Sequence, residues 1–287
     1  MAIKVAVYFA PEKGRSVQIS EAMETGALRH GYSAKRFPMH SYREPDCDIA
    51  VFYGLMRSIL DGYRRVGRPA IYIDLGYWGR HEGGRRAGFH KIVLNARHPI
   101  AYFQKRKHDA SRFNHFRIPI REWKGPQNNG YILLVGMSGK AASAEGFRPE
   151  EWENGIVEEI RKYTTREIVY RPKPNWGQAT RIRGTRMVRG TPADGDILRY
   201  LDNCHAIVTH HSNASIEGLL YGVPVFCWDG LAIAPGKACS DLSLIENPPV
   251  PVNREQWAWD IAWTQWNVAE MHSGAAWQYL RDEGLIP

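Results

Sequence analysis

Four polar side chains follow an apolar run at residues 206–209, in a pattern that could hold a phosphate group. The run is typical of a strand buried on both faces of a parallel sheet. His210, His211, Ser212 and Asn213 come next, and Ser212 or Asn213 can cap a helix that begins near Ala214 and has Ser215 in its first turn. The N–H groups and the positive dipole end of such a helix would point at the carboxyl edge of the sheet, where they favour phosphate.

Glu217 lies one turn into the predicted helix, where its carboxylate could accept hydrogen bonds from a ribose diol. Gly222 suits the end of this helix, and Pro224 prevents its continuation. A second interpretation stays open. In this interpretation the segment is an ordinary strand–helix–strand unit without a ligand. Ser212 then serves only to cap the helix, and Glu217 only contacts solvent.

Two further loops carry candidate phosphate contacts at the ends of predicted strands. Gly136 and Ser138 follow the apolar strand 131–135, in a loop that lacks the first glycine and the final Ser/Thr of a Walker A motif. We predict that this loop contacts phosphate or substrate. Arg171 and Lys173 follow the next predicted strand in the turn Arg-Pro-Lys-Pro, whose two prolines stiffen the turn and aim both cations at one site.

The sequence Ser-Asn-Ala-Ser-Ile-Glu-Gly-Leu-Leu-Tyr-Gly-Val-Pro-Val at 212–225 resembles the sugar-nucleotide motif of GT-B glycosyltransferases. The similarity is to capsule-type Kdo transferases and to related glycosyltransferases encoded by phages, and the turn at Arg171 is similar to their Arg/Lys-Pro-x-Pro turn. The resemblance implies that the serine loop and the helical glutamate bind the donor and that the turn approaches it. Sugar-nucleotide 2-epimerases share this fold and a similar helix.

Asp74 is the candidate catalytic base. It ends a predicted strand, and ligands of open α/β sheets collect at that end. It is weakly similar to the Asp of the Glu-Asp-Gly-Phe-x-Arg motif of the Kdo transferases, although Ile73 stands here in place of the Glu and Leu75 precedes the glycine. His81 and Glu82 are rival bases. The alternative is that Asp74 only caps a turn.

Strands that alternate with helices predict α/β domains with parallel sheets. Together with this pattern, the resemblance to GT-B glycosyltransferases implies two Rossmann-like domains that face each other across a cleft. The predicted parts are an acceptor domain at 1–125, a sugar-nucleotide domain at 130–252 and terminal helices at 253–287. These helices are expected to pack back on the first domain, as is usual in GT-B proteins. Within the first domain, Ser16 is predicted to cap a helix, and residues 90–95 to form a further strand.

The formal net charge is +8 over 287 residues, which favours a polyanionic partner such as nucleic acid, an anionic membrane or a phosphorylated substrate. Cations concentrate at 105–124 and 181–189, and aromatic residues interleave the first stretch, a footprint that suits exposed nucleic-acid bases. A solvated basic face over a hydrophobic base is the alternative. The predicted acceptor or DNA contacts are Arg80, Lys105, Arg106, Arg112, Arg181, Arg183 and Arg186.

The composition argues against several other classes of protein. No apolar run approaches the roughly 20 residues of a membrane span. The first residues run directly into a predicted strand, so we expect no signal peptide and a cytoplasmic location, in the host cell if a phage encodes the protein. Cys47, Cys204, Cys227 and Cys239 are scattered, which favours reduced thiols. We expect neither a metal nor a bound cofactor, with the sugar nucleotide as co-substrate.

These expectations combine into one function and three alternatives. We expect a metal-independent glycosyltransferase, in which Arg, Lys and helix N–H groups neutralise the departing diphosphate. The charge and the phage resemblance favour a hydroxymethylated pyrimidine in DNA as the acceptor, with Asp74 taking the hydroxyl proton in an inverting reaction. The alternatives are a capsule or lipopolysaccharide acceptor, a sugar-nucleotide epimerase, and a non-catalytic nucleic-acid-binding module. The oligomeric state is left open.

Overall fold

The computed structural model describes residues 2–84, 86–100, 106–174, 176–189, 197–233 and 236–287. The chain divides into two compact units. Unit 1 comprises Met1–Pro99, His108–Phe116 and Trp259–Pro287, and unit 2 comprises Ile100–Lys107 and Arg117–Ala258.

Short strands and helices alternate along most of the chain. The strands are β1 (Lys4–Phe9), β2 (Ser33–Pro38), β3 (Ile49–Tyr53), β4 (Ala70–Leu75), β5 (His90–Leu94), β6 (Tyr131–Val135), β7 (Ile168–Arg171), β8 (Arg186–Met187), β9 (Cys204–Thr209), β10 (Val225–Cys227) and β11 (Gln265–Trp266). The helices are α1 (Gly14–Arg29), α2 (Arg57–Arg65), α3 (Ser111–His115), α4 (Gly139–Ala144), α5 (Glu151–Ile160), α6 (Ala214–Tyr221), α7 (Arg254–Ala262), α8 (Val268–Ser273) and α9 (Ala275–Asp282).

The sheet of unit 1 is mixed, with the strand order β11-β5-β4-β3-β1-β2. β1 pairs in parallel with β2 and β3, and β3 pairs in parallel with β4, but β5 runs antiparallel to both β4 and β11. The expectation of a wholly parallel sheet is therefore wrong at this edge. A parallel return requires a crossover, usually a helix, and the described residues of the loop 76–89 contain none. The chain consequently turns straight back along β4.

The last two helices of the chain, α8 and α9, belong to unit 1 and pack on α1, whereas the boundary between the units falls within α7. An ideal Cβ on Gly26 of α1 would lie 2.2 Å from the Met271 carbonyl oxygen of α8, so only glycine allows this approach. The indole Nε1 of Trp277, in α9, donates to the Met23 carbonyl at 3.0 Å. The predicted terminal helices at 253–287 are three, α7, α8 and α9, because a capping box at Asn267 and a left-handed glycine at 274 interrupt the segment.

Ser16 does not cap α1, contrary to the prediction. The helix begins two residues earlier, at Gly14, and the Ser16 hydroxyl accepts a hydrogen bond from the Ala10 N–H at 2.9 Å. The side chain thus closes the turn between β1 and α1, and the start of the helix lacks a side-chain cap.

The sheet of unit 2 has five strands in the order β10-β9-β6-β7-β8, and every pair is parallel. Its central strands are buried on both faces, as the apolar runs predicted. Ile132 and Val208 of the sheet pack with Ile156 and Ile160 of α5 in one core cluster.

α6 follows β9 as predicted, and its two ends are made differently. The Ser212 hydroxyl accepts from the Ala214 N–H at 3.3 Å, whereas Asn213 makes no side-chain cap. Gly222 ends the helix in the left-handed conformation, at φ 87°. The predicted glycine stop is confirmed, and the residue at the cap position is Asn213, while the Ser212 hydroxyl before it accepts from the first N–H of the helix.

Candidate functional site

Three loops of unit 2 meet at one edge of its sheet. β6, β7 and β9 are parallel neighbours, so their carboxyl ends share this edge. The predicted donor contacts follow these ends: Gly136 and Ser138 after β6, Arg171 and Lys173 at and after β7, and His211, Ser212, Asn213, Ser215 and Glu217 after β9. The fold therefore brings these residues to one edge of one sheet, although the first and the last of them, 136 and 217, are 81 positions apart in the sequence.

Hydrogen bonds fix the starts of these loops to one another. The Thr209 hydroxyl at the end of β9 donates to the Val135 carbonyl of β6 at 2.9 Å, and both groups are buried. The Gly136 N–H donates to the Arg171 carbonyl at 3.1 Å. The three loops thus leave the sheet from a rigid base, which is what a preorganised ligand site requires.

Two histidines shape the loop between β9 and α6. The Nδ1 atoms of His210 and His211 lie 2.8 Å apart, so one ring donates and the other accepts. His210 meets the Trp152 ring edge-on at 5.6 Å, and its carbonyl accepts from the N–H groups of Trp228 and Asp229 at 3.1 and 2.9 Å. These contacts anchor His210 inward and set the position of the polar loop.

The serine loop is closed on itself. The Ser215 hydroxyl, in a side chain only 1% exposed, donates to the Ser212 carbonyl at 2.6 Å. Ser212 and Asn213 are half-buried, as is Glu217 in the first turn of α6. Ser215 therefore stabilises the loop from inside, while Ser212, Asn213 and Glu217 keep partial access to solvent.

Arg171 and Lys173 differ in environment, although one turn carries both. Arg171 is 4% exposed and lies 5.6 Å from the centre of the Tyr200 ring. Lys173 is exposed, and its carbonyl accepts from the Trp176 N–H at 2.9 Å. The Trp176 ring in turn lies against Gly139, because an ideal Cβ built on Gly139 would be 3.4 Å from the indole. The proline turn is thereby held against the start of α4.

A buried carboxyl supports the loop that begins at Gly136. Glu153 of α5 is 1% exposed, and its Oε1 accepts from the Met137 N–H at 2.7 Å. Burial raises the pKa of Glu153 above that of an exposed glutamate. Glu153 was not among the site residues predicted from the sequence. Its spacing to Ile156, Val157 and Ile160 puts it on the buried face of the helix, and an acid on such a face is the signal that could have revealed it.

The candidate base of unit 1 lies one residue before the end of β4. Asp74 is half-buried, and its carboxylate accepts from the Leu75 N–H at 2.8 Å and from the Tyr72 hydroxyl at 2.5 Å. Of the rival bases, His81 is exposed, and Glu82 is paired with His115 at 2.7 Å on the surface. Of the three candidates, Asp74 is the one that is half-buried.

The predicted basic contacts are scattered over both units. Arg112 pairs with Glu270 at 2.9 Å and lies 4.0 Å from the Trp266 ring centre, so its guanidinium stabilises unit 1. Arg186 pairs with Glu167 at 2.5 Å. Arg80 donates to the Gly76 carbonyl, Arg106 is half-buried, Arg181 and Arg183 are exposed, and Lys105 lies outside the described residues.

The basic stretch 105–124 does not form one surface of one unit. Residues 108–116 belong to unit 1, and the remainder belong to unit 2. In unit 2, Arg121 and Lys124 both lie over the Tyr221 ring, at 3.9 and 4.2 Å from its centre. These cations pack on an aromatic ring of their own unit. This arrangement agrees with the alternative to nucleic-acid contacts, in which basic side chains form a solvated face above hydrophobic residues.

Two kinds of site are missing from the described part of the chain. No group of three or more His, Cys, Asp or Glu side chains there is arranged to hold a metal ion. None of the helices described combines the length and the apolar character needed to cross a membrane.

No protein-family model and no curated protein matches the sequence. Solved structures do match. KpsC of Thermosulfurimonas dismutans aligns through its β-Kdo 2,7 transferase at 14% identity, with a TM-score of 0.58 over 98% of this chain and 99% of that chain. Its β-Kdo 2,4 transferase aligns at 13% identity, with a TM-score of 0.51 over 91% of this chain and 90% of that chain.

At 13–14% sequence identity, the structural similarity to these transferases establishes the fold of the chain. The chain has two Rossmann-like α/β domains of the GT-B type, and the predicted fold class is confirmed. A UDP-GlcNAc 2-epimerase of Methanocaldococcus jannaschii aligns at 8% identity over 99% of each chain, with a TM-score of only 0.31.

Proposed function

We propose that this protein is a glycosyltransferase that binds a sugar nucleotide in unit 2 and an acceptor in unit 1. The observation that carries the proposal is the meeting of three donor-type loops at the carboxyl edge of one parallel sheet. Open α/β sheets bind their ligands at this edge. The GT-B fold of the chain supports the same conclusion, because glycosyl transfer is the activity of the Kdo transferases that share it.

The donor residues have complementary roles in this proposal. Arg171 and Lys173, with the first-turn N–H groups of α6, neutralise the charge of the departing diphosphate. Glu217 accepts hydrogen bonds from the ribose diol. Ser212 and Asn213 line the approach to the phosphates. No metal is required in such a scheme, since guanidinium, ammonium and helix N–H groups supply the positive field.

The transfer step needs a base on the acceptor side. The acceptor oxygen bonds to the anomeric carbon of the sugar, the bond from that carbon to the diphosphate breaks, and the acceptor proton passes to the Asp74 carboxylate. We propose a hydroxymethylated pyrimidine in DNA as the acceptor, because the net charge of +8 favours a polyanion. Its base has to leave the duplex stack to reach the carboxylate.

A saccharide acceptor is the second candidate. It is favoured by the likeness to two Kdo transferase structures. The packing of Arg112, Arg121 and Lys124 against rings of their own units also accounts for part of the basic surface without DNA.

Two assays, carried out one after the other, test the proposal. A thermal-shift screen of sugar nucleotides with the full chain identifies the donor, because a ligand of the folded state raises the unfolding temperature by mass action. The donor is then offered with hydroxymethylated DNA, plain DNA or a saccharide. Transfer to the modified DNA supports the main proposal, transfer only to the saccharide supports the second candidate, and hydrolysis or epimerisation of the donor without any acceptor overturns both.

A further inference from the structure

Tyr72 lies two residues before the candidate base Asp74 on β4, so the two side chains share one face of the sheet. The Tyr72 hydroxyl donates to Oδ2 of Asp74 at 2.5 Å, and the Leu75 N–H donates to Oδ1 at 2.8 Å. The terminal torsion of an aspartate is otherwise broad. One donor on each oxygen therefore restricts the rotation of this carboxylate, and of the two donors only the Tyr72 hydroxyl depends on the type of side chain.

The Tyr72 hydroxyl keeps its proton. Tyr72 is 4% exposed, and burial, followed by the charge of Asp74, raises the pKa of Tyr72 above its ordinary value of 10.0. The phenol therefore remains a neutral donor, and the proton of an acceptor goes to the carboxylate rather than to the tyrosine. Tyr72 consequently acts on the reaction through Asp74.

Neighbouring strands hold the Tyr72 ring from both sides. Phe52 of β3 lies opposite Tyr72 in the parallel register, and the two ring centres are 5.7 Å apart. On the other side, Lys91 of β5 lies opposite Asp74 in the antiparallel register, and its ammonium is 5.2 Å from the Tyr72 ring centre. The same ammonium donates to the Arg97 carbonyl at 2.9 Å, in a side chain that is 7% exposed. Burial of an ammonium is costly unless it has such partners, so these contacts fix both Lys91 and the ring beside it.

We propose that Tyr72 is a positioning residue of the transfer reaction. It holds the Asp74 carboxylate in one orientation, in which an unshared electron pair is ready for the acceptor proton. This proton passes to Asp74, and no bond of Tyr72 forms or breaks. The role rests on the proposed function, in which Asp74 is the base. A general base has to meet its proton at a short distance and in the right direction, so loss of the fixed orientation lowers the rate and leaves binding intact.

Tyr72→Phe tests this role, because it removes the hydroxyl and keeps the ring between Phe52 and Lys91. Steady-state transfer by the full chain is measured with the donor from the thermal-shift screen and the acceptor from the transfer assay. We expect kcat to fall about ten- to hundredfold, as for loss of a hydrogen bond to a charged group, with the acceptor KM unchanged. Tyr8→Phe is the matched control. It removes the hydroxyl of another buried tyrosine, on β1 and two strands away from β4, and should keep the wild-type kcat.

A double-mutant cycle with Asp74→Asn separates positioning from a general structural effect. Because Tyr72 acts through the carboxylate, Tyr72→Phe should change the residual transfer of Asp74→Asn by less than about twofold. An equal loss of transfer in both backgrounds overturns the proposal. An unchanged kcat in Tyr72→Phe alone also overturns it, as does a raised KM with an unchanged kcat.

Lys91→Met is the second variant, for the case in which thermal unfolding shows that Tyr72→Phe does not fold. It removes the ammonium beside the ring but keeps an unbranched stem, and it should lower kcat about two- to thirtyfold. An unchanged kcat in folded Lys91→Met then overturns the proposal. Absence of transfer by the wild-type protein overturns the proposed function and the role of Tyr72 with it. Transfer by the wild type that Tyr72→Phe matches overturns the role of Tyr72 alone.

Discussion

The ring of Tyr170 lies directly beneath Gly136, so that an ideal Cβ on the glycine would be 2.8 Å from Cε2 and 2.9 Å from the hydroxyl oxygen of the tyrosine. The same Cβ would lie 3.1 Å from Oε1 of Glu153, the atom that holds the next backbone N–H. Gly136 is thus the point at which the first donor loop rests on buried polar side chains.

Gly136→Ala should therefore weaken donor binding and destabilise unit 2. Room for the methyl group has to come from Tyr170 or Glu153, and overpacking of this kind typically costs about 1–3 kcal/mol. Urea unfolding and calorimetry with the donor measure the two effects. Gly155→Ala, in α5 with open space around its Cβ, is the control and should be neutral or stabilising because alanine favours helix. Equal stabilities of the two variants would contradict the prediction.

Gly222→Ala should destabilise the protein more than an ordinary substitution at a left-handed glycine. Gly222 has φ 87°, and an ideal Cβ would also lie 2.0 Å from the Glu122 carbonyl oxygen, which is backbone and cannot easily move. Gly146 has a similar φ of 86° but open space around it, so Gly146→Ala isolates the conformational cost of about 1–2 kcal/mol. In thermal or urea unfolding, Gly222→Ala should be clearly less stable than Gly146→Ala. The reverse order would show that the backbone at Glu122 moves to make room for the methyl group.

The local patterns predicted the elements of the donor edge better than their supporting contacts. Apolar runs revealed β6 and β9, and the glycine–proline pair revealed the end of α6, because these signals are local. The antiparallel course of β5 was missed because its strand pattern is the same in either direction. Glu153 and His90 were missed because their roles depend on neighbours that are distant in sequence. The resemblance to GT-B glycosyltransferases already joined the serine loop and the Arg171 turn in one donor site, and the sheet order places the loops of both at one edge.

Glu217→Ala should weaken donor binding and leave the fold intact, since Glu217 is half-buried at the start of α6 and lies outside the core. Loss of a charged hydrogen bond to the ribose costs about 1.5–3 kcal/mol, or roughly ten- to a hundredfold in affinity. Calorimetry with the donor found in the thermal-shift screen measures the change. Glu158→Ala, on the exposed face of α5, is the control. Unchanged affinity in Glu217→Ala would remove this residue from the donor site.

His90 should make the protein less stable in mild acid. Burial and the nearby charge of Arg15 lower the pKa of His90 from 6.5 to about 4, so the unfolded chain binds its proton more tightly than the folded protein. The contribution of neutral His90 to the free energy of unfolding is therefore fully present above about pH 6.5. It is lost as the pH falls towards 4, and the loss amounts to about 3 kcal/mol in all.

The comparison of wild type with His90→Phe checks this pH dependence. Phenylalanine keeps the edge-on contact with Tyr53 but cannot titrate, so its free energy of unfolding should fall less between pH 7 and 4.5. Urea unfolding at several pH values gives both curves. Parallel curves would mean that His90 titrates normally in the folded protein.

Binding to DNA should weaken steeply with salt if the acceptor is a polyanion. The slope of the logarithm of affinity against the logarithm of salt concentration approaches the number of phosphates neutralised. Arg181 and Arg183 are exposed in unit 2, so Arg181→Gln combined with Arg183→Gln should lower this slope by up to about two. Filter binding over a salt series provides the measurement, and weak binding that salt does not change would favour the saccharide acceptor.

Asp74→Asn separates acceptor binding from transfer. The amide keeps the size of the side chain and can still accept from the Leu75 N–H through its oxygen, so the end of β4 should keep its structure. It cannot take the acceptor proton, and loss of a general base typically costs about 100- to 10,000-fold in rate. The expected result is unchanged DNA affinity with transfer reduced by that factor, whereas Glu82→Gln, which breaks only the surface pair with His115, should transfer normally. Full transfer by Asp74→Asn together with loss in Glu82→Gln would move the base to Glu82.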